Sequence, residues 1–175
     1  SMKTAPQIAT QIESLGAELS AAAGNDFTQI TVNSPSEVFE GSAALLSELV
    51  HDATFPEADL TRLQAQYLDN LSISLSDPAA VADLASSRVI YGAAPYGAAL
   101  DGTPTSIPTI TRDDVLGLYR SRWIPSSATL VFSGDIEPDA AFALAEKLFG
   151  DLRDPEDAAP KIENPAGEPI APRGV

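Results

Sequence analysis

The sequence lacks cysteine altogether and has one histidine and one tryptophan among 175 residues. Without cysteine, neither a disulfide framework nor a thiolate zinc site can form, and the redox compartment is left open. No apolar run approaches the roughly 18 residues of a membrane-spanning helix. No signal peptide is recognisable either. We therefore expect no membrane partner. Ser1-Met2 is interpreted as a remnant of tag removal.

Charge is strongly biased to one sign, with 25 acidic against 10 basic residues and a net charge of -15. A field of that sign repels phosphate backbones and anionic lipid, so nucleic acid is not expected as a partner. Basic peptides would be favoured, and plain solubility is the alternative explanation. Chain length and a hydrophobic content of 44% suit one domain with its own core.

Helical periodicity and capping signals predict most of the secondary structure. Ser34 is a plausible N-cap, with Pro35 in the first turn and Glu37 completing a capping box. Asp77-Pro78 either kinks a helix or begins a new one. Helices are predicted from Ala5 to Leu15, from Ser34 to about residue 50, from Pro56 to Leu75, on to Tyr91, from Arg112 to Arg122, and from Asp135 or Pro138 to Phe149.

Two further patterns predict strands. Residues 17–23 and 27–33 flank Gly24-Asn25-Asp26 and read as a β-hairpin, and the apolar run from Ala128 to Ser133 reads as a short strand. The predicted class is α+β, with an antiparallel or mixed sheet and helices packed on one face. The predicted domains are a start segment at 1–3, an α+β repeat at 4–152 and a Pro-rich linker at 153–175.

Isolated chemistry-bearing residues have structural explanations. His51 beside Asp52 lacks the partners of a metal site, and a solvated histidine at a helix end accounts for it. Asp113 and Asp114 could bind metal, but carboxylates in a first helical turn are explained by capping. The serines lack a G-x-S-x-G context. The glycines of 92–102 follow a helix and lack a P-loop lysine.

A set of short motifs occurs in a specific order: Asp77-Pro78, Pro95-Tyr96-Gly97, Gly102-Thr103, Ile110-Thr111 before paired aspartates, and an apolar segment ending in Gly134-Asp135. This combination resembles the insulinase/pitrilysin zinc peptidases, which include the mitochondrial processing peptidases. The resemblance covers about residues 4 to 152. It implies one of two α+β repeats per unit, with two units closing around a peptide.

The same resemblance implies where the zinc site would be. The family holds zinc with an H-x-x-E-H helix and a third-ligand glutamate, which lies eight residues before the proline of the Asp-Pro pair. That position is Asn70 here, and a neighbouring family glutamate falls on Leu63. Asp69 is one position away and faces elsewhere on a helix. We therefore expect no catalytic and no metal-binding residue in this chain, and zinc in the catalytic half of the parent protein.

The resulting prediction is a non-catalytic, structural and substrate-enclosing repeat of a zinc-dependent metallopeptidase. Its expected partners are a second repeat and the catalytic half, either in the same protein or in a partner chain. A peptide substrate is the third expected partner. The family binds substrate as an added strand, so the alanine-rich strand with Ala17, Leu19, Ala21 and Ala23 is the candidate contact. The alternative is that this is an inner strand of the sheet.

Three other interpretations stay open. The chain could be a trimmed catalytic repeat, a non-enzymatic scaffold subunit like those of the respiratory bc1 complex, or a helical binding domain without the hairpin and the strand at Leu130. An exposed sheet edge predicts self-association. Composition favours a bacterial source, with the periplasm preferred over the cytoplasm.

Overall fold

The computed structural model describes residues 3–156, which contain six α-helices and one β-hairpin. The helices are α1 Ala5–Ser14, α2 Phe39–His51, α3 Glu57–Ser74, α4 Pro78–Tyr91, α5 Arg112–Arg122 and α6 Pro138–Phe149, and the strands are β1 Glu18–Ala23 and β2 Thr28–Asn33. The predicted α+β class is confirmed. Residues 1–2 and the part of the predicted linker beyond residue 156 lie outside the described residues. No helix in the described part has the length and apolarity to cross a membrane.

Local capping determines where several helices begin. The Thr4 N–H donates to Gln7 Oε1 at 2.8 Å, which starts α1, and Gly16 follows that helix with a φ of 61°. Asp77 Oδ1 accepts from the Ala79 N–H at 2.9 Å. Asp77-Pro78 therefore begins a new helix, since proline at the first position needs no donor.

The predicted capping box at Ser34 is wrong. Pro35 is extended, and a 3-10 turn over Ser36–Val38 precedes α2, which begins only at Phe39. Ser34 is therefore too far from the first α-helical turn to cap it. Its hydroxyl is buried and has no hydrogen-bonding partner in the described part of the chain.

The predicted strand from Ala128 to Ser133 is also wrong. The segment is irregular, and within residues 3–156 no strand lies beside it. An extended segment becomes a strand only when a neighbour accepts and donates its backbone hydrogen bonds. Leu130 and Val131 are exposed, whereas Phe132 packs edge-on against Phe39 with ring centroids 6.0 Å apart.

Contacts divide the described chain into two units. The first comprises residues 3–23, 27–54 and 116–156. In it α2 contacts both β2 and α6, and the buried apolar side chains are Ile12, Ala43, Leu45 and Ile124. Small buried residues on α2 allow this close packing, and the Ser42 hydroxyl is satisfied by the Val38 carbonyl at 3.2 Å.

The second unit comprises residues 24–26 and 55–115. Leu71 on α3 and Ile107 are its buried apolar side chains. The Gln64 side chain on α3 donates to the carbonyls of Ile107 and Ile110, each at 2.9 Å. These two bonds fasten the loop that precedes α5 onto α3.

Candidate functional site

The β-hairpin, in the first unit, is one candidate binding site. Leu19 lies opposite Val32 and Ala21 opposite Ile30 in an antiparallel register. Because side chains alternate along a strand, these residues share one face with Ala23. Leu19, Ile30 and Val32 are partly buried on that face, whereas the opposite face is exposed. The hairpin is therefore anchored by one apolar face, and this fixes its register.

Three of the four predicted contact residues lie in β1. Ala17 precedes the strand, and its N–H already donates to the Ile12 carbonyl at 3.1 Å. Leu19 is partly buried, whereas Ala21 and Ala23 are exposed. In the described part of the chain β1 pairs with β2 alone, so its other edge is open to a further strand. The role of these residues in binding peptide stays a prediction.

A separate candidate position, in the second unit, is the outer face of α3. Leu63 and Asn70 are seven residues apart and therefore lie on one face of the helix. Leu63 is 41% exposed and Asn70 is exposed, while Leu71, one position away, is buried. The face on which the resemblance predicts acidic residues thus bears an amide and an apolar side chain. A neutral amide is a weak ligand beside a carboxylate, because Zn²⁺ is bound by imidazole, thiolate and carboxylate groups.

The described residues contain no group of three His, Asp or Glu side chains placed to hold a metal ion. Asp113 and Asp114 lie in the first turn of α5, as predicted. Asp114 Oδ2 accepts from the Thr111 N–H at 2.8 Å and the Thr111 hydroxyl at 2.6 Å. These bonds lower the pKa of Asp114. The carboxylate therefore serves as a helix cap.

His51 differs most from its predicted role. Only 23% of its side chain is exposed, so it is not a solvated helix-end histidine. Its ring stacks on Phe149 with centroids 5.9 Å apart, and Nε2 lies 3.1 Å from Asp151 Oδ1. Nδ1 faces the Ser47 carbonyl oxygen at 2.8 Å. The partners on α6 and beyond are about a hundred residues away in sequence, so no local pattern could have revealed them.

Comparison with known proteins identifies the family that this chain resembles in sequence and in structure. Residues 109–174 match the family model described as the peptidase M16 inactive domain. The structure of a peptidase M16 inactive domain from Pseudomonas fluorescens superposes with a TM-score of 0.86 and 31% identity, over 97% of this chain and 41% of that one. The chain belongs to the insulinase/pitrilysin, or M16, peptidase family.

Two curated relatives are named as zinc proteases. An uncharacterized zinc protease of Rickettsia bellii is 23% identical over 150 residues, which are 86% of this chain and 36% of that protein. An uncharacterized zinc protease of Mycobacterium leprae is 24% identical over 163 residues, 92% of this chain and 37% of that protein. The chain thus spans well under half the length of these relatives. It has the character of an M16 inactive, non-catalytic domain.

Proposed function

We propose that this chain is a non-catalytic repeat that helps to enclose peptide substrates in a zinc-dependent peptidase. The zinc of that peptidase would be held by residues outside this chain. The observation that carries the proposal is the outer face of α3, where Asn70 and Leu63 occupy positions that are acidic in catalytic members. The role of the chain would be to provide surface and not chemistry.

The open edge of β1 supports the enclosing role. A peptide added there as a strand would use main-chain hydrogen bonds, which tolerate many sequences. Ala21, Ala22 and Ala23 have side chains small enough to let a second backbone approach. The net charge of -15 would favour basic peptides over acidic ones.

Helix α4 supports packing against other domains of the parent protein. None of its side chains is buried, even though several are large and apolar. Their exposed fractions are 42% for Val81, 37% for Leu84, 69% for Val89 and 66% for Ile90. An apolar helix of this kind is stable in water only when another surface covers it. The matched relatives are long enough to supply one, since this chain spans only 36% to 41% of their length. The proposed cover is the second repeat of the same protein.

The test is binding of a short, extended, lysine-bearing peptide, followed by fluorescence anisotropy. Two otherwise identical peptides carry N-methyl groups on alternate amides. Since only one set of amides can face β1, one methylated peptide should lose binding and the other should keep it. Equal binding of both would exclude strand addition. Zinc-dependent hydrolysis of the peptide by this chain would instead support a trimmed catalytic repeat.

A further inference from the structure

The environment of His51 places hydrogen-bond acceptors at both ring nitrogens. The Ser47 hydroxyl donates to the Leu148 carbonyl at 2.8 Å, so its single hydrogen is already used. Ser47 Oγ, 3.2 Å from His51 Nδ1, can therefore only accept from the ring, as does the Ser47 carbonyl oxygen at 2.8 Å. Nδ1 must accordingly carry a hydrogen.

The other ring nitrogen faces a carboxylate. Nε2 lies 3.1 Å from Asp151 Oδ1, and an ionised carboxylate only accepts hydrogen bonds. A neutral imidazole carries one N–H, so it can satisfy Ser47 or Asp151 but not both. The doubly protonated imidazolium satisfies both at once. Its position in the last turn of α2 favours the same charge, since the carbonyl end of a helix attracts cations.

Other charged groups on the elements that meet at His51 have their own contacts. Glu48 on α2 is paired with Lys3, and Lys147 on α6 is paired with Glu40. Arg153 donates to the carbonyls of Gly150 and Leu152. Asp52 follows His51 in the chain, and the Tyr119 hydroxyl of α5 donates to the His51 carbonyl at 3.1 Å. The carboxylate that meets the ring is therefore that of Asp151.

We propose that His51 and Asp151 form a proton-controlled clasp that fastens the segment after α6 to the end of α2. When the imidazolium loses its Nε2 proton, a lone pair faces the carboxylate and the clasp opens. The Nδ1 bond to Ser47 and the stacking on Phe149 persist, so the ring stays in place. The segment that loosens lies between Phe149 and Asp154, because the Asp154 carboxylate accepts separately from the Ser126 N–H.

Two protonation changes limit the pH range in which the clasp is closed, one at His51 and one at Asp151. The bond to Asp151 needs the Nε2 hydrogen of the imidazolium, so it should weaken as the pH rises and that hydrogen is lost. The hydrogen bond from His51 lowers the pKa of Asp151, so the carboxylate remains ionised through the mildly acidic range. The clasp should therefore be closed at lower pH and open at higher pH.

The test is amide hydrogen exchange by NMR, corrected for the intrinsic pH dependence of exchange. The probe is the Leu152 N–H, which donates to the Phe149 carbonyl at 3.1 Å within the clasped segment. Between about pH 5.5 and pH 8, its protection should fall by about 3- to 10-fold, the combined contribution of an exposed ion pair and a helix-end charge.

Two variants separate the clasp from general effects of charge. The Asp151 side chain is 81% exposed, so Asp151→Asn should preserve folding. Because the variant lacks the carboxylate, the pH dependence of protection should flatten. Asp154→Asn removes a carboxylate from the same segment, one that accepts from the Ser126 N–H, and should keep the pH dependence. Protection that does not change with pH in the parent, or a pH dependence that survives Asp151→Asn, would overturn the proposal.

Discussion

Gly97 packs so closely against Gly92 that a Cβ atom added to it would lie 2.3 Å from the Gly92 carbonyl oxygen. Gly92 ends α4 with a φ of 58°, and Gly97 closes the 3-10 turn that follows. The Tyr91 and Tyr96 rings lie beside this turn with centroids 5.6 Å apart. The glycine of the Pro-Tyr-Gly motif is thus required by backbone packing, and no ligand is needed to explain it.

Gly97→Ala should lower the free energy of unfolding by about 1–3 kcal/mol, because the clash is with backbone and not with a flexible side chain. Gly117→Ala is the matched control. A Cβ there meets nothing within 4 Å, and Gly117 lies inside α5. It should stabilise by about 0.5–1 kcal/mol through helix propensity. Urea denaturation of both variants measures the two shifts, and equal effects would contradict the packing argument.

Leu45→Ala should be among the most destabilising substitutions in the first unit. Leu45 is 2% exposed on α2, so its removal leaves a cavity that costs about 2–5 kcal/mol. Leu118→Ala makes the same chemical change at a side chain that is 62% exposed, and should cost about 0.5 kcal/mol or less. Thermal unfolding of both variants is the measurement. Similar melting temperatures would mean that Leu45 is not a core residue.

Thr111→Ala should destabilise α5 by about 1 kcal/mol, the usual value of an N-cap hydroxyl. Thr111 Oγ1 accepts from the Asp114 N–H at 3.2 Å, and the Asp114 carboxylate accepts from the Thr111 N–H. The two hydrogen bonds form a reciprocal capping box. The pKa of Asp114 is lowered by the hydrogen bonds from Thr111. Its stabilisation is therefore present above about pH 4 and is lost as the pH falls through the folded pKa.

The pH dependence distinguishes the cap from a simple loss of side-chain contacts. In the parent, stability should drop in the acid range, and part of that drop should vanish in Asp114→Asn. Asp113→Asn is the control, since Asp113 lies in the same helical turn. If both variants retain the full acid-induced loss of stability, the Asp114 carboxylate does not contribute through the cap.

Local signals predicted the elements that local interactions create. Thr4, Asp77 and Thr111 lie next to the helices they cap, and the hairpin follows from the alternation along its second strand and a turn that contains Gly24-Asn25-Asp26. The strand predicted at 128–133 is absent because a strand depends on a neighbour, and an apolar run cannot reveal whether one is present. The predicted N-cap at Ser34 is absent because the backbone at Pro35 is extended, whereas the residue after an N-cap must already be helical.

The candidate site divides in the same way. The prediction that Asn70 stands at the position of an acidic family residue depends only on a count from the Asp-Pro pair along one helix, and it stays a prediction. The clasp at His51 was not readable, since Phe149 and Asp151 approach it only through the packing of α6 on α2. Sequence spacing locates residues within one element, whereas contacts between elements depend on the tertiary fold.

Zinc titration of a chelator-stripped sample by calorimetry should give no saturable one-to-one binding. The reason is chemical, since the sequence holds one histidine and no cysteine, and Asn70 is a neutral amide at the position where the resemblance implies a carboxylate. Asn70→Glu restores the acidic residue and should still bind no zinc tightly, because one carboxylate does not make a tetrahedral site. Tight binding that disappears in His51→Gln would contradict this and place a metal at the His51 ring.

Self-association through the open edge of β1 should be visible as a mass that rises with concentration in light scattering. An unpaired strand edge can be extended by the same edge of a second copy. Ala22→Lys puts a charge on the exposed face of that strand and should shift the sample toward monomer. Ala143→Lys adds the same charge to an exposed position of α6 and should leave the mass unchanged. If both lysines dissociate the sample equally, association depends on net charge and not on strand pairing, and a monodisperse monomer at high concentration would remove the expectation altogether.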